Sequence, residues 1–222
     1  EFLPALEETG LIIPVGKWVI QQACQQLHQW KLQGHAEWTL AVNLSPSQFE
    51  QHDIVDVVCS ALAQYQLSPA YLTLELTEST ALKNLKRSAE VLNAFSALGI
   101  TVSIDDFGTG YSNILMLKSL PARELKIDRV FVKDINENSK NTKIVSTIID
   151  IAHSMNMQVV AEGIETQEQE ILLTQMGCGV LQGFLFAKPL PAHQIHELIP
   201  TESNIKQQRI VQSLSPQQSI TL

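Results

Sequence analysis

The 222-residue chain reads as an α/β fold of the (β/α) TIM-like barrel class, incomplete, with six of the eight strands that a closed barrel of this kind uses. Three observations predict this. Segments with two-residue apolar alternation take turns with segments of helical periodicity, the rhythm of parallel βαβ units. Within the strand segments the aliphatic residues fall at one parity (Leu72, Leu74 and Leu76, or Leu125 and Ile127) and polar residues at the other (Thr73 and Glu75, or Lys126 and Asp128). All six segments give a polar residue to that second face: Asn43, Glu75, Asp105, Lys126, Glu162 and Gln182. A doubly wound sheet, buried on both faces, would be apolar at both parities. A barrel instead gathers polar side chains from many strands at its C-terminal mouth.

The elements follow in chain order. The opening Glu-Phe-Leu-Pro-Ala-Leu-Glu-Glu-Thr-Gly lacks a start methionine and reads as a chain cut inside a fold. From Pro14 to Leu32 an apolar face of Trp18, Ile20, Cys24, Leu27 and Trp30 predicts a helix, ended by Gly34. Trp38–Ser45 is a strand, Asp53–Tyr65 a helix with Asp53 as its cap, Tyr71–Glu78 a strand, and Leu82–Leu98 a helix stopped by Gly99. The central strand begins at Thr101 and ends on the carboxylate pair Asp105-Asp106, after which Gly108 and Gly110 hinge a loop. Asn113–Ser119 is a short helix and Glu124–Asp128 a short strand. Ser139–Met155 is a helix with Ile144, Ile148, Ile151 and Met155 on one face. Gln158–Glu162 is a strand, Glu168–Met176 a helix ended by Gly177, Val180–Phe184 a strand and His193–Leu198 a last short helix. The composition turns polar from about Thr201, which divides the chain into a barrel domain over 1–200 and a tail or linker over 201–222.

A formal charge of -8 argues against a sequence-independent grip on nucleic acid, which needs a basic face. It leaves room for a small phosphorylated ligand, because a divalent metal can supply the positive charge locally. No apolar run is long enough to span a bilayer and no secretion signal is visible. Cys24, Cys59 and Cys178 are scattered, with no CxxC, so they read as reduced thiols of a cytoplasmic chain; membrane segments elsewhere in a parent protein stay open.

Glu75, Asp105, Asp106 and Glu162 would repel one another if they shared one pocket. A divalent cation resolves the conflict. Oxygen-only ligation, with the amide oxygen of Asn43 added, suits Mg2+ or Mn2+. Asp105 and Asp106 could bridge two ions about 3.5–4 Å apart, a geometry suited to in-line attack on phosphorus. Lys126 could neutralise a phosphate oxygen or orient a water, or it could simply pair with one of the carboxylates. Gln182 can hydrogen-bond a water or hold a ligand. None of the six histidines falls on a strand end, so a histidine metal centre or base is not expected, and Ser45 and Ser112 have no histidine partner in view.

At these residues the chain resembles the EAL domain of bacterial cyclic di-GMP phosphodiesterases. The ordered motifs are Glu7-Glu-Thr-Gly-Leu, Val42-Asn-Leu-Ser, Leu74-Glu-Leu-Thr-Glu, Ile104-Asp-Asp-Phe-Gly-Thr-Gly-Tyr-Ser, Leu125-Lys-Ile-Asp-Arg, Val160-Ala-Glu-Gly-Ile-Glu-Thr and Gln182-Gly-Phe-Leu-Phe-Ala-Lys-Pro-Leu, spanning about Phe2 to Pro191. The resemblance implies hydrolysis of cyclic di-GMP to linear pGpG with two Mg2+ or Mn2+ ions. It puts the metal ligands on Asn43, Glu75, Asp105, Asp106 and Glu162, and the essential lysine on Lys126. Glu162 becomes the candidate general base and Gln182 the matching glutamine. Glu78 becomes the anchor of the loop after the Asp pair, and Phe186 and Pro189 neighbours of a guanine. Asn113 stands where a serine is commoner. One departure matters: no Glu-Ala-Leu tripeptide occurs, and the chain starts at the segment that should follow it, so two strands and one metal ligand are expected to be absent. The open edges would then be covered by a partner chain, as in a homodimer, or belong to a remnant. For the intact domain the expectation is an enzyme. For the chain as given, the missing ligand favours the alternative, a non-catalytic cyclic di-GMP receptor or protein-interaction module.

Overall fold

Period-two alternation does build six strands, and they join into one parallel sheet: β1 (Leu40–Asn43), β2 (Leu72–Thr77), β3 (Thr101–Phe107), β4 (Glu124–Ile127), β5 (Gln158–Ala161) and β6 (Val180–Leu181). This computed structural model describes residues 2–108, 117–136 and 139–198. Strand order in the sheet equals order in the chain, so each strand pairs only with its neighbours in sequence. That is the winding of a barrel, here six parallel strands forming a half-barrel with β1 and β6 at its two ends.

One face of the sheet is the core. Leu72, Leu74, Val102, Ile104, Leu125 and Ile127 are completely buried there, beneath the connecting helices. The helices are α1 (Leu3–Glu8), α2 (Ile12–Leu32), α3 (Pro46–Phe49), α4 (Ile54–Gln64), α5 (Glu78–Lys83), α6 (Leu85–Leu98), α7 (Arg129–Val132), α8 (Lys140–Ser154) and α9 (Gln167–Gln175). None among the described residues is long and apolar enough to cross a membrane.

Several elements differ from the sequence reading. The buried stripe of α2 runs through Ile12, Gly16, Ile20, Ala23, Cys24, Leu27 and Trp30, and Trp18 lies 58% exposed. Gly16 belongs to that stripe because the Gln48 side chain fills its place; a Cβ there would lie 1.7 Å from the Gln48 amide nitrogen. On α8 the buried face is Val145, Ile148, Ile149 and Ala152, with Ile144 43% exposed. The helix expected over Leu82–Leu98 is two helices. Thr77 caps α5, which starts at Glu78, and Asn84 breaks the run with φ -140 and caps α6 by accepting the Arg87 N–H. Asp53 precedes α4 but makes no side-chain cap, because its carboxylate takes the Lys17 ammonium at 2.7 Å. β6 stops at Leu181 because Gly183 is pressed on the Ile164 backbone and the chain turns. The short helix expected over Asn113–Ser119 lies largely outside the described residues, as do Gly110, Ser112 and the tail over 201–222.

Candidate active site

Glu75 on β2, Asp105 on β3, Lys126 on β4 and Glu162 just after β5 come together near the C-terminal ends of the strands. Glu75 on β2 is only 2% exposed and Lys126 on β4 only 3%. The Lys126 ammonium donates to Glu75 Oε2 at 2.8 Å, lies 2.6 Å from Glu162 Oε1 and 3.6 Å from Asp105 Oδ1. Three strands and the residue that follows a fourth thus meet at one nitrogen. Burial alone would lower the Lys126 pKa, but the charges of Glu75 and Glu162 outweigh it and hold the lysine above its usual value. Glu75 is governed by burial, which keeps its pKa above the ordinary glutamate range against the pull of Lys126. Its second oxygen, Oε1, is buried without a hydrogen-bond partner.

Asp105 and Asp106 reach the site by a device that strict alternation would forbid. Consecutive strand residues point to opposite faces, so Asp106 should turn toward the helices. Instead the β3–β4 register shifts between Ile104 and Phe107, and Asp106 takes φ 55, a left-handed backbone that Asp tolerates better than most residues. The Asp106 N–H then donates to Asp105 Oδ1 at 2.9 Å. Asp106 sits among like charges. Its carboxyl is pushed up to about 6, first by burial, then by the charge of Asp105, by a hydrogen bond and charge from Asp128, and by Glu162.

Asp128 is the residue the sequence reading placed on this face without giving it a role. It follows β4, its Oδ1 accepts the Val130 N–H at 2.7 Å to cap α7, and it faces Asp106. The signal was its parity with Lys126.

The remaining candidates lie around this cluster. Asn43 closes β1 directly opposite Glu75 in the register and is exposed. Gln182 follows β6; its N–H donates to the Ala161 carbonyl at 2.9 Å, beside Glu162, and its Oε1 is buried without a partner. Glu78, the first residue of α5, accepts the Gly108 N–H at 3.1 Å and so holds the chain where it leaves Asp105 and Asp106. Phe186 and Pro189 stand exposed beyond β6, outside the cluster. Among the described residues no three acidic, histidine or cysteine side chains by themselves enclose a cation position. The centre is held by the Lys126 ammonium. The donor set nevertheless fits a hard divalent ion: all its members are oxygens, and Glu75 Oε1 and Gln182 Oε1 are buried acceptors still lacking a partner.

A family model, described as the EAL domain, matches residues 1–189. The chain belongs to the EAL domain family. MucR of Pseudomonas aeruginosa, named a bifunctional diguanylate cyclase/cyclic di-GMP phosphodiesterase, is 49% identical over 195 residues, which are 88% of this EAL chain and 28% of MucR. PdeR of Escherichia coli, named a cyclic di-GMP phosphodiesterase, is 38% identical over 192 residues, 86% of this chain and 29% of PdeR. The EAL chain thus spans under a third of the length of these curated relatives. The structure of the MucR phosphodiesterase in complex with cyclic di-GMP superposes with a TM-score of 0.84 at 49% identity, covering 87% of this chain and 78% of that one. Klebsiella pneumoniae BlrP1, solved with manganese and cyclic di-GMP, gives 0.70 at 28% identity, over 78% of this chain and 45% of that one.

Proposed function

We propose that this EAL chain carries most of a metal-dependent phosphodiesterase site that opens cyclic di-GMP to linear pGpG. The observation behind the proposal is the buried knot of Glu75, Asp105 and Glu162 around the Lys126 ammonium, with Glu75 Oε1 left over as an acceptor. Asn43, Glu75, Asp105, Asp106 and Glu162 are the residues that would hold Mg2+ or Mn2+, as two ions. A bound divalent ion supplies Lewis acidity toward a phosphoryl oxygen. The carboxylates that would hold it are those that now hold Lys126, so ammonium and ion draw on one set of donors.

The chain's own residues supply the rest. Lys126 presents a fixed positive charge to a phosphate oxygen as negative charge builds in the transition state. Glu162, partly open to solvent, takes the proton of the attacking water as the water oxygen bonds to phosphorus and the phosphate–ribose ester bond breaks, and the released ribose oxygen takes up a proton from solvent. Gln182 Oε1 accepts from that water and orients it. Glu78 fixes Gly108 and with it the backbone behind the Asp pair. Phe186 offers a flat apolar face for a guanine, with Pro189 beside it. The names and bound ligands of MucR, PdeR and BlrP1 support the reading.

Chromatographic detection of pGpG in Mn2+ buffer, with and without chelator, tests it. Asp105→Asn should lower kcat by at least about 100-fold while cyclic di-GMP binding changes less than about tenfold. Unchanged turnover in that variant would remove the metal assignment. Tight binding with no turnover by the unsubstituted chain would make it a nucleotide receptor instead.

A further inference from the structure

Of the four groups that meet at the Lys126 ammonium, Glu162 is the one outside a strand: β5 ends at Ala161, and Glu162 opens the loop to α9. Its backbone N–H bonds the Ile127 carbonyl at 3.1 Å, which fixes where that loop starts. Gln169 fixes how the loop continues. It lies in the first turn of α9, is 7% exposed, and its side-chain amide makes four hydrogen bonds. Its Oε1 accepts the Glu165 N–H at 2.8 Å and the Thr166 N–H at 3.1 Å. These bonds cap the helix, and a glutamate would make them equally well. Its Nε2 does what a cap does not require. It crosses to α7 and donates to the Val132 carbonyl at 3.2 Å and the Lys133 carbonyl at 3.3 Å.

α7 is well placed to act as a gauge. It follows β4 and is capped by Asp128, so its start is tied to the strand that carries Lys126. It also touches the backbone on both other sides of the cluster. Gly163, next to Glu162, is pressed on it, so that a Cβ there would lie 2.5 Å from the Arg129 Cβ. Gly108, two residues after Asp106, would put a Cβ 3.1 Å from the Phe131 ring. A carboxylate 2.6 Å from its ammonium has little play, and a displacement of about 1 Å at a reacting group can cost on the order of 100-fold in rate. We propose that Gln169 is a positioning residue for Glu162: by tying the loop after β5 to α7, it sets Glu162 against Lys126 and the Asp pair. The proposal rests on the phosphodiesterase reading for the reaction served, and on the hydrogen bonds alone for the geometry.

Gln169→Glu is the discriminating variant, at about pH 8 where the new carboxylate is charged. It keeps the acceptor and with it the cap, and puts an oxygen where the donor reached the two α7 carbonyls. Gln169→Met, which removes both, is the second variant. Leu27→Ala, buried on α2 away from the cluster, is the control for lost stability. Metal-free protein is measured first, by urea midpoints. Glu162→Gln should lower the midpoint equally in the parent and in Leu27→Ala, and by less than about half as much in either Gln169 variant, because there the carboxylate no longer sits on the Lys126 ammonium. Turnover is measured second. Both Gln169 variants should lose at least about tenfold in kcat with KM within about threefold of the parent, and Leu27→Ala should keep kcat within about twofold. An equal Glu162→Gln shift in every background, or a Gln169→Glu variant with the parent's kcat, would reduce Gln169 to a cap and overturn the proposal. A parent that opens no cyclic di-GMP would defeat the phosphodiesterase reading instead, and the urea cycle would still decide whether Gln169 places Glu162.

Discussion

Replacing Lys126 by methionine keeps most of the apolar stem of the side chain and removes the ammonium at its end, with its charge and its hydrogen-bond donors. With Glu75 Oε2 at 2.8 Å and Glu162 Oε1 at 2.6 Å, each pair is worth about 6 kcal/mol of gross attraction at an effective dielectric near 20. Desolvating the ions offsets most of that, so removing one partner of such a buried cluster costs a net of about 3–5 kcal/mol, chiefly because Glu75 is left charged and unmatched. In a domain of this size that lowers Tm by on the order of 10 °C. Urea unfolding of metal-free protein measures the loss directly. The sign with pH follows from the groups. The raised lysine pKa gives stability that is present at neutral pH and lost only on alkaline titration, while acid removes the carboxylate charges that make the variant unstable. The deficit of Lys126→Met should therefore be full at pH 7 to 8 and shrink as the carboxylates take up protons, and adding Glu75→Gln should recover much of it. A loss below about 1 kcal/mol, the level of a surface pair, or a deficit that does not shrink in acid, would refute the claim that this ammonium holds the cluster together.

Asp106, with its carboxyl near pH 6, should make metal-free protein most stable relative to its unfolded state below the ordinary aspartate pKa and less so as pH rises through about 6; Asp106→Asn should flatten that limb of a urea-midpoint profile. Gly183→Ala should destabilise by about 1–3 kcal/mol or more, because the new Cβ would meet the Ile164 backbone oxygen at 2.1 Å and nitrogen at 2.2 Å; an unchanged urea midpoint would contradict that packing. Gln169 accepts the Glu165 and Thr166 N–H groups and donates to the Val132 and Lys133 carbonyls, so Gln169→Leu should cost about 2–4 kcal/mol and speed hydrogen exchange at Glu165 and Thr166.

The sheet was legible because its evidence is redundant. Six strands repeat one parity, and shifting β2 or β4 by a residue would bury Glu75 or Lys126 on the apolar side. The candidate site was legible for the same reason, since residues that share a parity in adjacent parallel strands share a face. Asp106 shows where this fails. Alternation gives it the wrong side, and only a bulge with positive φ, invisible in a hydrophobicity pattern, returns it. On α2 the expected Ile20, Cys24, Leu27 and Trp30 are buried, as is Ile148 on α8; the rest of these faces was misread because large apolar residues such as Trp18 and Ile144 outweigh small ones such as Gly16 and Ala152, although small residues are what a close approach requires. The short helices α3 and α7 hold too few residues for periodicity to register. Their signals are local caps, the reciprocal Ser45–Gln48 bonds and the Asp128 side chain. Asn84 divided one predicted helix into two for a similar reason, a side chain that competes for backbone donors.

The agreement between strand order and chain order has a consequence for biogenesis. Each of β2 to β6 finds its template in the segment that left the ribosome just before it, so this sheet can grow in one direction as the polypeptide emerges. Lys126 emerges after Glu75 and Asp105 and before Glu162. The nascent layer therefore acquires its neutralising charge partway through synthesis, before its last acidic member arrives.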